Sequence, residues 1–68
     1  DNTMINLNLY EITIICDDDF EICCNIYSTL AVAAKSKAKS IFSYLIYKHQ
    51  GIKSISAVIV NEAVFEEV

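Results

Sequence analysis

Apolar residues sit at even positions on both sides of three consecutive aspartates, and that shared parity is the strongest constraint on the fold. Tyr10, Ile12, Ile14 and Cys16 precede Asp17-Asp18-Asp19, and Phe20, Ile22, Cys24 and Ile26 follow. Glu11, Thr13, Glu21 and Asn25 hold odd positions, with Ile15 the exception. Period two marks a strand with one buried face, because successive side chains project to opposite sides. A three-residue loop at the aspartates sets Cys16 against Phe20, Ile14 against Ile22, Ile12 against Cys24 and Tyr10 against Ile26, all on one face. A two-residue turn would pair Cys16 with Asp19 and Ile14 with Glu21, throwing the two apolar sets onto opposite faces. The pattern therefore predicts a hairpin whose aspartates form a charged loop tolerant of turn and left-handed backbone. Ile5, Leu7 and Leu9 alternate in the opposite phase, which calls for a bulge near Leu9-Tyr10 or a separately paired lead-in strand.

The period then changes. "LAVAAKSKAKSIFSYLIYKHQ" (30–50) predicts one helix, with a hydroxyl from Ser28-Thr29 as its N-cap. At about 100° per residue, Leu30, Ala34, Ala38, Ile41 and Leu45 form an apolar stripe flanked by Ala31, Phe42 and His49. Lys35, Ser36, Lys39 and Ser43 point away, while Lys37 and Lys48 at the margin must extend their charged heads to water. Lys48 and His49 suit the negative end of the helix dipole. Gly51, the only glycine, stands where a left-handed C-cap belongs, with Ile52 as its apolar partner. "SISAVIVN" (54–61) reads as a third strand, with Ile55, Ala57 and Ile59 on one side and Val58 and Val60 on the other. "AVFEEV" (63–68) is either a fourth short strand or a tail.

The expected architecture is α+β, in the order β-β-α-β. An antiparallel sheet of three strands, or four if residues 63–68 add one, has order 2-1-3 and one helix packed on one face. Residues 1–68 read as a single small domain, since no linker, repeat or low-complexity tract interrupts the 68 residues. Asp1-Asn2-Thr3 ahead of Met4 read as a non-native leader, the other reading being a piece of a longer protein. At 54% hydrophobic, the chain is rich for its size, which requires a well-filled core or an apolar surface covered by another chain. The face opposite the helix would carry Leu9, Ile15, Cys23, Tyr27, Val58 and Val60 among Glu11, Thr13 and Asn25. That is greasier than a solvent-facing sheet side should be, so we expect a partner or homodimer interface there.

Net charge is −4, the pI is near 4.6, and the chain has five lysines and no arginine. Nucleic-acid binding needs cations to displace counterions from phosphates, so direct nucleic-acid contact is not expected. Eleven isoleucines with no Arg, Pro or Trp suggest an AT-rich genome, such as that of a low-GC bacterium or its mobile elements. No apolar run reaches the ~18–20 residues of a membrane span and no signal-peptide pattern opens the chain. With thiols that read as reduced, this leads to an expected cytoplasmic location.

Each chemical motif meets a simpler explanation. Cys16 and Cys24 fall on the buried face but not opposite one another, Cys23 points to the other face, and no pair has C-x-x-C spacing, so the three read as small hydrophobes. "DDDFEICCNIYS" (17–28) matches the first three ligand positions of a calcium loop at Asp17, Asp19 and Glu21. It fails where that loop is specific, placing Ile22 at the glycine and Ser28 at the bidentate glutamate. His49 ends the helix, away from the hairpin that holds the cysteines, and one glycine is too few for a phosphate or oxyanion loop. "KSKAKS" (35–40) reads as a solvated helix surface. Tyr44 and Tyr47 are flank aromatics suited to an interface or to packing at the sheet edge. No cofactor, metal or catalytic residue is expected.

The functional expectation is a non-enzymatic protein-binding module that occludes or bridges a partner surface. Asp17, Asp18, Asp19, Glu62, Glu66 and Glu67 would steer a basic partner. Size, acidity and composition suit a phage or mobile-element inhibitor of a host nuclease, in the manner of anti-CRISPR proteins. The alternatives are a toxin-neutralising antitoxin or a structural subunit of a phage or cellular assembly. "STLAVAAKSKAKSIFSYL" after a hairpin resembles the helix of HicB-type antitoxins over less than a third of the chain. That family's further leading strand, glycine-bearing turns and C-terminal DNA-binding module have no counterpart here.

Overall fold

The computed structural model of the protein describes the backbone of residues 4–67 and the side chains of residues 7–60. The expectation about Asp1-Asn2-Thr3 lies outside the described residues. The elements run β1 (Met4–Cys16), β2 (Glu21–Ser28), α1 (Ala31–Ile41), α2 (Ser43–Lys48) and β3 (Ile52–Glu67). The sheet has three antiparallel strands in the order β2-β1-β3, with the helical segment against one face. The topology follows from connection lengths. A tight loop forces β1 and β2 to be antiparallel neighbours, and the helical crossover returns β3 to the free side of β1.

The hairpin register is the one that parity dictates: Ile14 faces Ile22, Ile12 faces Cys24 and Tyr10 faces Ile26. Two hydrogen bonds of 2.8 Å close the loop, from Cys16 N–H to the Phe20 carbonyl and from Asp19 N–H to the Cys16 carbonyl. Asp19 takes the left-handed conformation (φ 72°) that a three-residue hairpin places at its last position. Ile12, Ile14 and Cys16 are fully buried at the centre, with Tyr10, Ile22, Ile26, Ala34 and Ala38 around them.

The bulge expected near Leu9-Tyr10 exists, but the extra residue is on β3. Leu9 faces Asn61 while Tyr10 faces Ile59, leaving Val60 over. β1 therefore keeps an unbroken register with β2 from Asn8 to Ile15, and Leu9 lies on the face away from the helix. Two further irregularities follow the same ladder: one lies between Leu7 and Leu9, opposite Val64 and Asn61, and one leaves Lys53 over, between Ser54 opposite Ile15 and Ile52 opposite Cys16. There is no separate lead-in strand and no fourth strand among the described residues. Residues 4–9 belong to β1, and residues 63–67 continue β3.

Three details of the helix differ from expectation. The N-cap is Leu30, with no side-chain cap. Ser28 instead accepts from the Leu30 N–H (3.3 Å), one residue too early to cap the helix. The buried stripe is rotated by about one position: Ala34 and Ala38 are buried, Ala31, Phe42, Leu45 and Ile46 pack beside them, and Leu30 and Ile41 are exposed. Lys35 is half-buried and Lys37 exposed, as that rotation requires. Finally, the helix bends at Phe42 (φ −103°, ψ 21°) while the Phe42-to-Ala38 and Ile46-to-Phe42 bonds persist at 3.0 and 2.9 Å. The cause is packing. Two alanines bring α1 close to the sheet, whereas Phe42, Leu45 and Ile46 need more room, and one straight cylinder cannot keep both distances.

The C-terminus is a Schellman turn shifted by one residue from expectation. Gln50 occupies the left-handed position (φ 73°) and donates to the Tyr47 carbonyl (3.1 Å). Gly51 follows at φ 102° and donates to the Ile46 carbonyl (2.9 Å).

Two substitutions test the packing. Ile14→Ala should cost about 2–5 kcal/mol, comparable to the ~3–5 kcal/mol that a core this small supplies. Its urea unfolding curve should lose most or all of the native baseline. Ala38→Leu should cost about 1–3 kcal/mol by pushing α1 off the sheet, seen as a lower urea midpoint with the helical circular-dichroism signal retained in water.

Candidate functional site

The described residues present two distinct surfaces: the acidic bend and the sheet face opposite the helical segment. The order β2-β1-β3 places the β1–β2 bend beside the turn from α2 into β3, and the aspartates are engaged by that turn. Asp17 N–H donates to the Gly51 carbonyl (2.9 Å). The Asp18 carboxylate accepts from Phe20 N–H (3.1 Å) and meets His49 Nδ1 at 2.7 Å. The His49 ring stacks on Phe20, with centroids 3.8 Å apart and planes within 6°. Lys53, freed from the ladder by its bulge, donates to Asp19 Oδ1.

The bend is thus tied down by the chain's own side chains, and Lys53 offsets part of its charge. His49 holds the Asp18 carboxyl below its ordinary value of 3.8, with the Phe20 N–H helping and partial burial opposing. Asp19 holds the Lys53 ammonium above its ordinary 10.5, and the Asp17 charge adds to the effect. Among the described residues Asp17 is the bend aspartate without an ion pair. The side chains of Glu62, Glu66 and Glu67 lie outside the described residues. On the backbone, Glu66 pairs with Ile5 and Glu67 with Met4, at the opposite end of β1 from the bend. Glu66 and Glu67 are thus separated from the bend by about 35–40 Å of strand, while Glu62, next to Asn61 opposite Leu9, stands part-way along β1.

The open face carries the residues that parity assigns to it: Leu9, Glu11, Thr13 and Ile15 on β1, Glu21, Cys23, Asn25 and Tyr27 on β2, and Ser54, Ser56 and Val58 on β3, with Val60 at the bulge. Leu9 and Ile15, on the central strand, are half-buried, while Tyr27 (52%), Val58 (57%) and Val60 (49%) are well exposed. Charge is divided between the sides of the molecule. Glu11 and Glu21 lie on the open face, β1 and β2 contain no lysine, and Lys35, Lys37, Lys39 and Lys48 all belong to the helical segment. Lys48 lies over the Tyr44 ring at 5.8 Å, and Tyr44 and Tyr47 are exposed rather than packed at a sheet edge.

All three cysteines are free thiols, with Cys23 on the open face and Cys16 and Cys24 on the helix side. Each is pushed above its ordinary value: Cys16 by burial and then by Asp18 and Asp17, Cys23 by its contact with Glu21 (3.1 Å), and Cys24 by burial. Thiols held protonated are poor nucleophiles and poor metal ligands. Among the described residues no group of three or more His, Cys, Asp or Glu side chains is placed to hold a metal, and no helix is long and apolar enough to cross a membrane.

The links from Asp18 to His49 and from Asp19 to Lys53 bridge 31 and 34 residues. No local motif announces them, although the strand order alone brings the start of β3 beside the bend. The chain matches no family model, no curated protein and no solved structure.

Two measurements test the bend. Because folding lowers the Asp18 carboxyl, its contribution is present above the unfolded value of 3.8 and is lost as pH falls through the lower folded value. Acid unfolding of the wild type should therefore steepen below about pH 4, and Asp18→Asn should flatten that limb. Gly51→Ala should cost about 1–3 kcal/mol, because L side chains rarely adopt its φ of 102°, while the Asp17 carboxylate, 3.0 Å from the added Cβ, is exposed and can turn aside. Thermal denaturation would report the loss.

Proposed function

We propose that the protein is a small, non-enzymatic, cytoplasmic binding module that uses its open sheet face to cover or bridge the surface of another protein. The observation that carries this reading is the character of that face. Tyr27, Val58 and Val60 are about half exposed on a sheet side that no element among the described residues covers. An aromatic with a polar tip among small aliphatics is the composition of an interface core. Glu11 and Glu21 on the same face, with four of the five lysines on the helical segment and Lys53 paired with Asp19 at the bend, give it a negative rim, so the complementary partner is apolar at its centre and basic at its edge. A small acidic protein of this kind suits an inhibitor that shields the basic groove of a nucleic-acid enzyme, with Asp17 adding to the steering field.

The test uses immobilised protein and a face variant, Tyr27→Lys with Glu21→Lys, whose substitutions lie at exposed positions of β2. A low-GC bacterial lysate is passed over both at two salt concentrations and read by mass spectrometry. The proposal expects a protein retained by the wild type, less so at the higher salt, and lost from the variant. Retention by neither, or equal retention by both, contradicts it.

A further inference from the structure

The helix covers the sheet unevenly. On β1 the helix-side residues Tyr10, Ile12, Ile14 and Cys16 are all buried, and on β2 Ile22 and Ile26 are buried with Cys24 half-buried between them. On β3, by contrast, Ile55 and Ala57 are only half-buried and Ile59 is 50% exposed. The thinly roofed margin is therefore β3, which is also an edge of the sheet. Between the bulges at Lys53 and Val60, residues 54–59 pair regularly with β1 and leave their other side unpaired. This run, Ser-Ile-Ser-Ala-Val-Ile, contains no charge, proline or glycine, the devices by which edge strands usually refuse a partner.

A strand that adds here must be uncharged over the same length, and the chain itself supplies one. We propose that two copies pair antiparallel through β3, about a twofold axis at Ala57. Directly opposed residues share a face, so only residues of like parity can meet. An axis at Ala57 sets Ile55 against Ile59 of the second copy and Ser56 against its Val58, with the small Ala57 facing itself. An axis at Ser56 would oppose Lys53 to Ile59, and one at Val58 would oppose Ile55 to Asn61. Pairing about Ala57 brings the exposed Ile59 beside Ile55 of the second copy. It places both helices on one side and joins the two open faces into one six-stranded surface. The inference deepens the binding role given above, because it makes that surface bivalent.

The test is sedimentation equilibrium from micromolar to millimolar protein, with isotope-filtered NMR on a mixture of labelled and unlabelled chains. A species of twice the 7.6 kDa chain mass is expected, with cross-peaks between the Ile55 and Ile59 methyls. Within one copy these residues are about 13 Å apart along the strand, too far for such a signal. Ser56→Lys with Val58→Lys sets lysine against lysine across the axis and should raise the dissociation constant at least ~10-fold, while the dilute monomer keeps its thermal midpoint within a few degrees. A monomer at every concentration overturns the inference, as does a dimer whose cross-peaks join Tyr27 or Leu9 rather than Ile55 and Ile59. Neither result touches the lysate experiment, whose substitutions lie on β2. Loss of capture there would leave the β3 pairing standing.

Discussion

One helical layer can roof only one side of a sheet, and among the described residues no second layer faces the other side of β2-β1-β3. The fold therefore depends on β1 and β2 turning the same parity of side chains toward that roof. Ile12, Ile14 and Cys16 are fully buried at the point where all layers meet, and Ile22 and Ile26 flank them from β2. A slip of one residue at the acidic loop would expose the β2 set to water and leave the helix without a partner. The same constraint fixes what remains outside. Leu9, Glu11, Thr13 and Ile15 of β1 face away from the helix, so Leu9 and Ile15 lie on a surface that no described element covers.

The bend and the end of the helical segment form a second structural centre. Asp17, Asp18 and Asp19 look like a solvated loop in sequence, yet each bonds or pairs with the segment His49–Lys53 or with its own turn. The pairs are exposed and individually weak. Their value is positional: they hold the start of β3 against the end of β1, where Lys53 must bulge out before the regular ladder begins. Gly51 sits at the crossing, at a φ of 102° that L side chains rarely adopt.

What the sequence disclosed divides along the line between local and global causes. Alternation and loop length are local, and they determined the hairpin register, the strand order and the identity of the open face. The helix also declared itself, but its azimuth did not. A helical wheel treats Leu30 and Ile41 as core because they are apolar, whereas the sheet selects the side that packs closest, which is the alanine side. The bend at Phe42 arises from a mismatch between small and large residues that appears only once both face the same sheet. The merging of residues 63–67 into β3 was hidden by the bulges, which break the alternation that periodicity detects. The Asp18–His49 and Asp19–Lys53 pairs belong to topology, and their functional consequence is that the bend offers less free charge than its sequence implies.

A molecule with lysines on its helical side, carboxylates on its open side and one thinly covered strand edge is asymmetric in the way a contact protein needs to be. All of this rests on a core with one inside and one outside. The most direct measurement is methyl NMR of the dilute protein with a soluble paramagnetic agent. Methyls of Ile12, Ile14, Ile22 and Ile26 should resist broadening while those of Val58 and Val60 broaden strongly. Equal broadening of Ile14 and Val58, or opposite behaviour of Ile14 and Ile22, would contradict a single buried face shared across the acidic bend.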